Sequence, residues 1–207
     1  PIGGRPLLDW TLERLAKSGA DEVVFAVNYL SEAFIKRYGE STYGMKLHYS
    51  QEARPLGTGG CVKNAEKIIG HNEPFLLLNG DILSNMDFAK LTAEHVKNRA
   101  TATITLHKVD DPSRFGVVEI VQKNRIKRFV EKPEREKAPS NLINAGIYAL
   151  SPEVFDYIPN ERRVSIEREV FPALARDNKL FGYEFDGLWI DIGEPVDYLM
   201  GNRLLLD

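Results

Sequence analysis

Three stretches place reactive side chains where packing alone does not ask for them. "FLLLNGDILSN" ends an apolar run in Asn79-Gly80-Asp81, "LWIDIGEPVDYL" sets Asp191 in an apolar run close to Gly193, and "RFVEKP" closes Arg128-Phe129-Val130 with Glu131-Lys132-Pro133. An acid at the carboxyl end of a buried strand suits a metal-bound phosphate, because Mg²⁺ is usually held by one or two carboxylates plus substrate oxygens. Asp81 would equally well cap the segment that follows it. Asp191, if buried, must be paired, hydrogen-bonded or metal-bound. Two such acids, each ending an apolar strand of one sheet, would converge on the same Mg²⁺. The Glu131-Lys132 pair reads either as a solvated strand end, which Pro133 cannot extend, or as two ligand-binding side chains held still by the proline.

A fourth stretch, "QEARPLGTGGCVKNA", puts Gly57, Gly59 and Gly60 around Thr58 at the start of a helix, where free backbone amides would receive a ligand. Turn chemistry explains the same glycines. The stretch is neither a P-loop, since Gly-Lys-Ser/Thr is missing, nor a G-x-G-x-x-G dinucleotide fingerprint. Other chemistries fail: His48, His71, His95 and His107 show no metal spacing and read as surface or satisfied residues, and no G-x-S-x-G elbow is present. A single cysteine, Cys61, excludes an internal disulfide and fits a reducing compartment.

The elements that must position these residues follow from periodicity. Pro6 opens a helix carrying Leu7, Leu8, Leu12 and Leu15 and closed by Gly19; Glu22 to Val27 is a strand, Ser31 to Tyr38 a helix and Lys46 to Ser50 a strand. Thr58 to Ile69 is a helix, Phe75 to Leu78 the most apolar strand, and Met86 to Asn98 a helix. Alternation at this spacing implies an α/β fold with a doubly wound, mainly parallel Rossmann-like sheet. Between 101 and 150 the pattern changes to strands at Thr101 to Val109, Gly116 to Val121, Ile126 to Val130 and Leu142 to Leu150, an antiparallel substrate-binding extension within one domain spanning 1–207. Helix returns at Ser165 to Arg176, then a strand pair at Leu180 to Phe185 and Leu188 to Ile192, then a helix from Pro195.

With 207 residues, 43% apolar, the chain can bury a sizeable core. A net charge of −3 gives no global pull toward nucleic acid or anionic membrane. The basic run Lys123 to Lys137 is interleaved with Glu131, Glu134 and Glu136 and reads mainly as a solvated face. No run of about eighteen apolar residues and no leader pattern occurs, so a cytoplasmic protein is expected.

Taken in order, "PLGTGG", "LNGD", "DPSRFGVVE", "FVEKP", "INAGIYALSPEV", "SIEREVFPALA" and "LWIDIGEPVDYL" resemble the nucleotidyltransferase domain of sugar-phosphate nucleotidylyltransferases, from Pro6 to the last residue. Within that family, Ser165 to Pro172 and Trp189 to Pro195 are most similar to the mannose-1-phosphate guanylyltransferases. The resemblance implies transfer of a nucleotidyl group from a nucleoside triphosphate, GTP favoured, to a sugar-1-phosphate, mannose-1-phosphate favoured. It makes Asp81 and Asp191 the Mg²⁺ ligands, Glu131 the acid that holds sugar hydroxyls and Lys132 the base that meets the sugar-1-phosphate. Gly116 and Asn144 match sugar-pocket positions; Gly57, Thr58 and Gly80 match nucleotide-side positions. A homo-oligomer is expected. Glucose-1-phosphate uridylyl- or thymidylyltransfer and a non-catalytic regulatory subunit are the alternatives. The family also opens with a strand and a glycine-rich loop, Gly-x-Gly-Thr-Arg-Leu, ending in a Lys-Pro that leads into "PIGGRPLL". A piece of about two dozen residues, carrying half of the nucleotide site, is therefore expected ahead of Pro1, and many relatives carry a C-terminal β-helix.

Overall fold

The computed structural model describes residues 1–27 and 31–206. Helix α1 (Leu7–Lys17) buries Leu12 and Leu15 in a core shared with Phe25, Met45 and Ile82; in the first sheet β1 (Glu22–Val27) runs parallel to β3 (Met45–Gln51), and the short β2 (Ser41–Thr42) folds back antiparallel on β3. Helix α2 (Ser31–Tyr38) lies between β1 and β2 in the chain. Helix α3 (Gly57–Ile69) leads to β4 (Phe75–Leu78), and β5 (Ile82–Ser84) to α4 (Phe88–Asn98). Asp87 starts α4 by accepting from the Lys90 amide over 3.1 Å, the ordinary service of an N-cap aspartate.

The largest sheet holds β6 (Ala102–Lys108), β7 (Gly116–Ile120), β8 (Ile126–Glu131), β9 (Leu142–Leu150) and β10 (Leu180–Glu184) in the order β10-β6-β9-β7-β8, with β4 also paired to β9. β10 is parallel to β6; β4, β6 and β7 all meet β9 antiparallel. This is the α/β architecture with an antiparallel extension that the alternation of elements implies, and the extension shares its sheet with the strand that leads to Asp81. The strands expected at Leu180 to Phe185 and Leu188 to Ile192 both form, but they do not pair with each other. β10 joins β6, whereas β11 (Trp189–Asp191) joins β5 antiparallel. Local apolar periodicity marks a strand without naming its partner, and here the partners lie far back in the chain.

The helix expected from Ser165 to Arg176 divides into a π-helical turn, Ile166–Val170, and α5 (Phe171–Arg176). Helix α6 (Pro195–Leu206) follows β11. Tyr148, Phe155 and Phe171 anchor one core between the large sheet and α5; a second core joins Leu12, Met45, Leu91 and Ile147 from both sheets and the helices beside them. No helix among the described residues is long and apolar enough to cross a membrane.

The central strand β9 is irregular near its middle. Tyr148 pairs with Ile104 but Asn144 pairs with Leu106, so Thr105 alone faces Ala145, Gly146 and Ile147. The extra residues bulge out of the ladder, and Gly146 takes a φ of 71°, which glycine adopts without the Cβ penalty.

Candidate active site

The bulge exposes backbone groups that would otherwise pair along the ladder, and each is claimed by a residue of the site. The Gly146 carbonyl accepts from the Asn79 amide over 2.8 Å, which pins the turn carrying Gly80 and Asp81. The Ala145 carbonyl accepts from the Trp189 indole over 2.8 Å, which pins the strand ending in Asp191. The Gly146 amide donates to Asn144 Oδ1 over 3.0 Å, while Asn144 Nδ2 donates to the Tyr148 hydroxyl over 3.0 Å. A Cβ on Gly146 would sit 2.8 Å from Asn79 Nδ2, so the close approach requires glycine.

β5 and β11 then bring the two acids together. Asp191 stands opposite Ile82, and the Ile192 amide donates to the Asp81 carbonyl over 2.8 Å. Asp81 is exposed and Asp191 half-buried. Burial, and after it the negative charge of Asp81, pushes the Asp191 carboxyl above its ordinary range; Arg114 and Lys132 oppose that rise, so both cations lie near it. Gly193 leaves room beside the carboxylate, since a Cβ there would come within 3.1 Å of Asp191 Oδ1. Trp189 is held edge-on by Phe115, ring centroids 5.5 Å apart.

Glu131 is the last residue of β8 and faces Gly116 on β7. A Cβ at Gly116 would lie 2.9 Å from Glu131 Oε2 and 2.5 Å from Phe129 Cζ, so only glycine lets this carboxylate lie across the strand. Lys132 leaves the strand with a φ of 48°, its amide donating to the Phe115 carbonyl over 3.0 Å. Pro133 is buried and Lys132 exposed. A buried proline after a left-handed residue fixes the turn, from which Lys132 reaches solvent. Burial, then the charge of Glu167, raises the Glu131 carboxyl, with Lys132 and Arg168 opposing. Tyr148, fully buried, is pushed up mainly by burial, with the charges of Glu167, Glu131 and Asp81 adding to the rise.

The glycine-rich stretch differs from the sequence expectation in one respect. The amides of Gly59 and Gly60 are not free for a ligand: both donate to the Val164 carbonyl, over 2.9 and 3.3 Å. Gly57, with a φ of 76°, would put a Cβ 2.6 Å from that same oxygen, so these glycines seat α3 against the chain at Val164. Thr58 donates to Glu167 Oε2 over 2.6 Å and accepts from the Ile166 amide over 3.0 Å. That bond ties the stretch to the neighbourhood of Glu131. Cys61 is half-buried, and burial pushes its thiol up to about 11.

Asp81, Asp191, Lys132 and Glu131 are thus electrostatic neighbours, with Gly80, Gly116, Asn144 and Thr58 one contact away. Sequence reasoning missed Arg114, Tyr148, Glu167, Arg168 and Trp189; all lie inside the motifs it singled out, so the signal was present without a role attached. The chemistry on offer is carboxylate and ammonium together, suited to a phosphate-bearing ligand with hydroxyls. Among the described residues no cluster of three or more His, Cys, Asp or Glu could hold a metal alone. Two surface cavities of about 590 and 520 Å³ lie elsewhere, lined by residues including Lys90 and Tyr183 and by residues including Arg125 and Arg176.

Fold and site together define an α/β protein that gathers acids and a lysine at its strand ends. The chain belongs to the nucleotidyl transferase family, whose sequence pattern matches residues 1–207. It is 43% identical over 210 residues to a mannose-1-phosphate guanyltransferase of Yarrowia lipolytica, covering 99% of this chain and 57% of that protein. It is 40% identical over 212 residues to the mannose-1-phosphate guanyltransferase of Saccharomyces cerevisiae, covering 100% of this chain and 58% of that protein. The chain therefore spans little more than half the length of these curated relatives. Among solved structures, a UDP-glucose pyrophosphorylase from Acinetobacter baumanii superposes with a TM-score of 0.85 at 20% identity, covering 98% of this chain and 82% of that one, which establishes the shared fold.

Proposed function

We propose that this domain transfers guanylyl from GTP to mannose-1-phosphate, giving GDP-mannose and pyrophosphate. The observation that carries the reading is the meeting of Asp81 and Asp191 across β5 and β11, where the charge of Lys132 acts on the Asp191 carboxyl. The similarity to mannose-1-phosphate guanyltransferases supports the choice of base and sugar.

Two carboxylates brought to adjoining backbone positions, one of them half-buried and raised by burial and then by the other's charge, hold negative charge that a divalent cation offsets. With two protein ligands only, such a cation would be completed by substrate oxygens, which is the habit of Mg²⁺. Bound there, Mg²⁺ would neutralise the charge that builds on the phosphate oxygens. The chain's own residues do the rest. Lys132 offsets the repulsion between the sugar phosphate and the triphosphate, and Glu131 fixes the sugar by accepting from its hydroxyls. A phosphate oxygen then attacks the α-phosphorus, the bond to the β-phosphate oxygen breaks, and pyrophosphate leaves. Such transfers need little covalent help; positioning and charge neutralisation supply the rate.

A cytoplasmic, homo-oligomeric protein completes the proposal. The single cysteine is in keeping with a reducing compartment, and the exposed Val196, Leu199 and Met200 of α6 favour association. The test is pyrophosphate release by the full natural chain in Mg²⁺, with each common nucleoside triphosphate paired against mannose- and glucose-1-phosphate. Turnover confined to GTP with mannose-1-phosphate is expected; turnover confined to another pair, or none from the folded protein, overturns the reading.

A further inference from the structure

Glu167 stands between the glycine-rich stretch and the strands that carry Glu131 and Tyr148. It lies on the π-helical turn Ile166–Val170, a helical irregularity that recurs at functional sites because it re-aims side chains. The apolar side of the turn is anchored: Ile166 and Val170 are buried, and the Phe171 ring packs on Tyr148 and Phe129 with centroids 5.2 and 5.5 Å away. Phe129 is two residues from Glu131 on β8. The start of the turn is held by other groups, since the Ser165 amide donates to Glu169 Oε1 over 3.1 Å and Ser165 Oγ accepts from the Arg168 amide over 3.2 Å. Glu167 is therefore not needed as the cap. Its Oε2 accepts from Thr58 over 2.6 Å and from Ser165 Oγ over 2.7 Å, which fixes the carboxylate; among the described residues nothing hydrogen-bonds its Oε1.

We propose that Glu167 Oε1 is a second acceptor for the hydroxyls of the sugar-1-phosphate, acting with Glu131, and that it determines which sugar is used. The proposal rests on the nucleotidyltransfer reading. The carboxyl of Glu131 and the hydroxyl of Tyr148, raised first by burial and then by the charge of Glu167, agree with its lying near both. An acceptor already held by two hydroxyls is pre-organised, and a site built to bind a hydroxyl rejects an analogue that lacks it. The bond from Thr58 also makes the acceptor's position depend on the glycine-rich stretch, so the two halves of the site are set together.

Glu167→Gln separates this role from a bracing one. Glutamine keeps one oxygen to accept from Thr58 and Ser165, and replaces the free oxygen with a donor. In the full chain, the variant's KM for mannose-1-phosphate is expected to rise about tenfold or more while the KM for GTP stays within about twofold. Across the series of monodeoxy mannose-1-phosphates, the difference between wild type and variant should vanish for the one analogue missing the contacted hydroxyl. A wild-type KM in the variant, a loss equal across the whole series, or a change confined to GTP would overturn the assignment. If thermal melting shows that Glu167→Gln does not fold, Glu167→Asp, which keeps the charge and withdraws the acceptor, serves the same comparison. Absence of turnover in the wild type with every pair overturns the underlying reading instead.

Discussion

Asp81 and Asp191 are held side by side by main chain: Asp191 pairs with Ile82 across β5 and β11, and the Ile192 amide closes on the Asp81 carbonyl at 2.8 Å. The contacts that hold the two residues are backbone ones, so removing either carboxylate leaves the backbone that presents the other. Asp191→Asn should lower turnover at least about a hundredfold, the scale seen when one preorganised charge-stabilising group is lost. Its metal-free thermal midpoint should equal or exceed the wild type's, because burial and Asp81 already disfavour the charged carboxylate. Pyrophosphate release and a melting curve check both; near-normal turnover would remove the metal assignment.

Lys132 is exposed and makes its turn through its amide bond to Phe115. Truncation to alanine should therefore cost little stability, within about 0.5 kcal/mol. The expected change is catalytic, a lower kcat/KM for the sugar phosphate by about tenfold or more. Initial rates over a range of that substrate decide it, and an unchanged dependence would refute the role.

Gly116→Ala adds one methyl where there is no space for it. The nearest atoms, Phe129 Cζ and Glu131 Oε2, belong to the packed face of β8 and to the site itself. Overpacking of this kind costs roughly 1–3 kcal/mol. Urea unfolding should show that loss, and the displaced Glu131 should raise the KM for the sugar phosphate in parallel.

His95 is buried between two hydroxyls, its Nδ1 2.9 Å from Thr103 Oγ1 and its Nε2 2.9 Å from Ser151 Oγ. Ser151 Oγ donates to the Ala100 carbonyl, which assigns the ring proton to Nε2 and leaves Nδ1 as acceptor from Thr103. Burial lowers the imidazole below its ordinary value of 6.5. The native state thus binds the proton less readily than the unfolded chain, and the stabilisation present above that value is lost as pH falls below it. Between pH 7 and about 5, the urea midpoint of the wild type should fall further than that of His95→Gln. Equal slopes would show that His95 does not contribute.

The acids and the Glu-Lys-Pro turn were legible because each breaks a local rule: a charge at the end of an apolar strand, or a proline where a ladder should continue. The alternation of strand and helix was legible for the same local reason. Partners were not. Nothing around Phe75 to Leu78 says that this strand will lie against Ile147 to Leu150, and nothing around Leu180 says Ala102. The engaged amides of Gly59 and Gly60 were invisible too, since the oxygen they meet belongs to Val164, over a hundred residues away. Glu167 carries no local mark of its own in the sequence; its place comes from the π turn and the bond to Thr58, both seen only in the fold.

The bulged β9 has a consequence for anyone who would change the sugar by exchanging parts between relatives. One continuous strand borders the proposed sugar side through Asn144 and the Asp81 turn through Gly146, so there is no seam at which the two can be cut apart. A graft of the extension that stops short of β9 would inherit the donor's pocket walls with the recipient's bulge, and Asn79 and Trp189 would reach for carbonyls in the wrong register. The exchangeable module ends at Leu150 and must carry matched residues at 79 and 189.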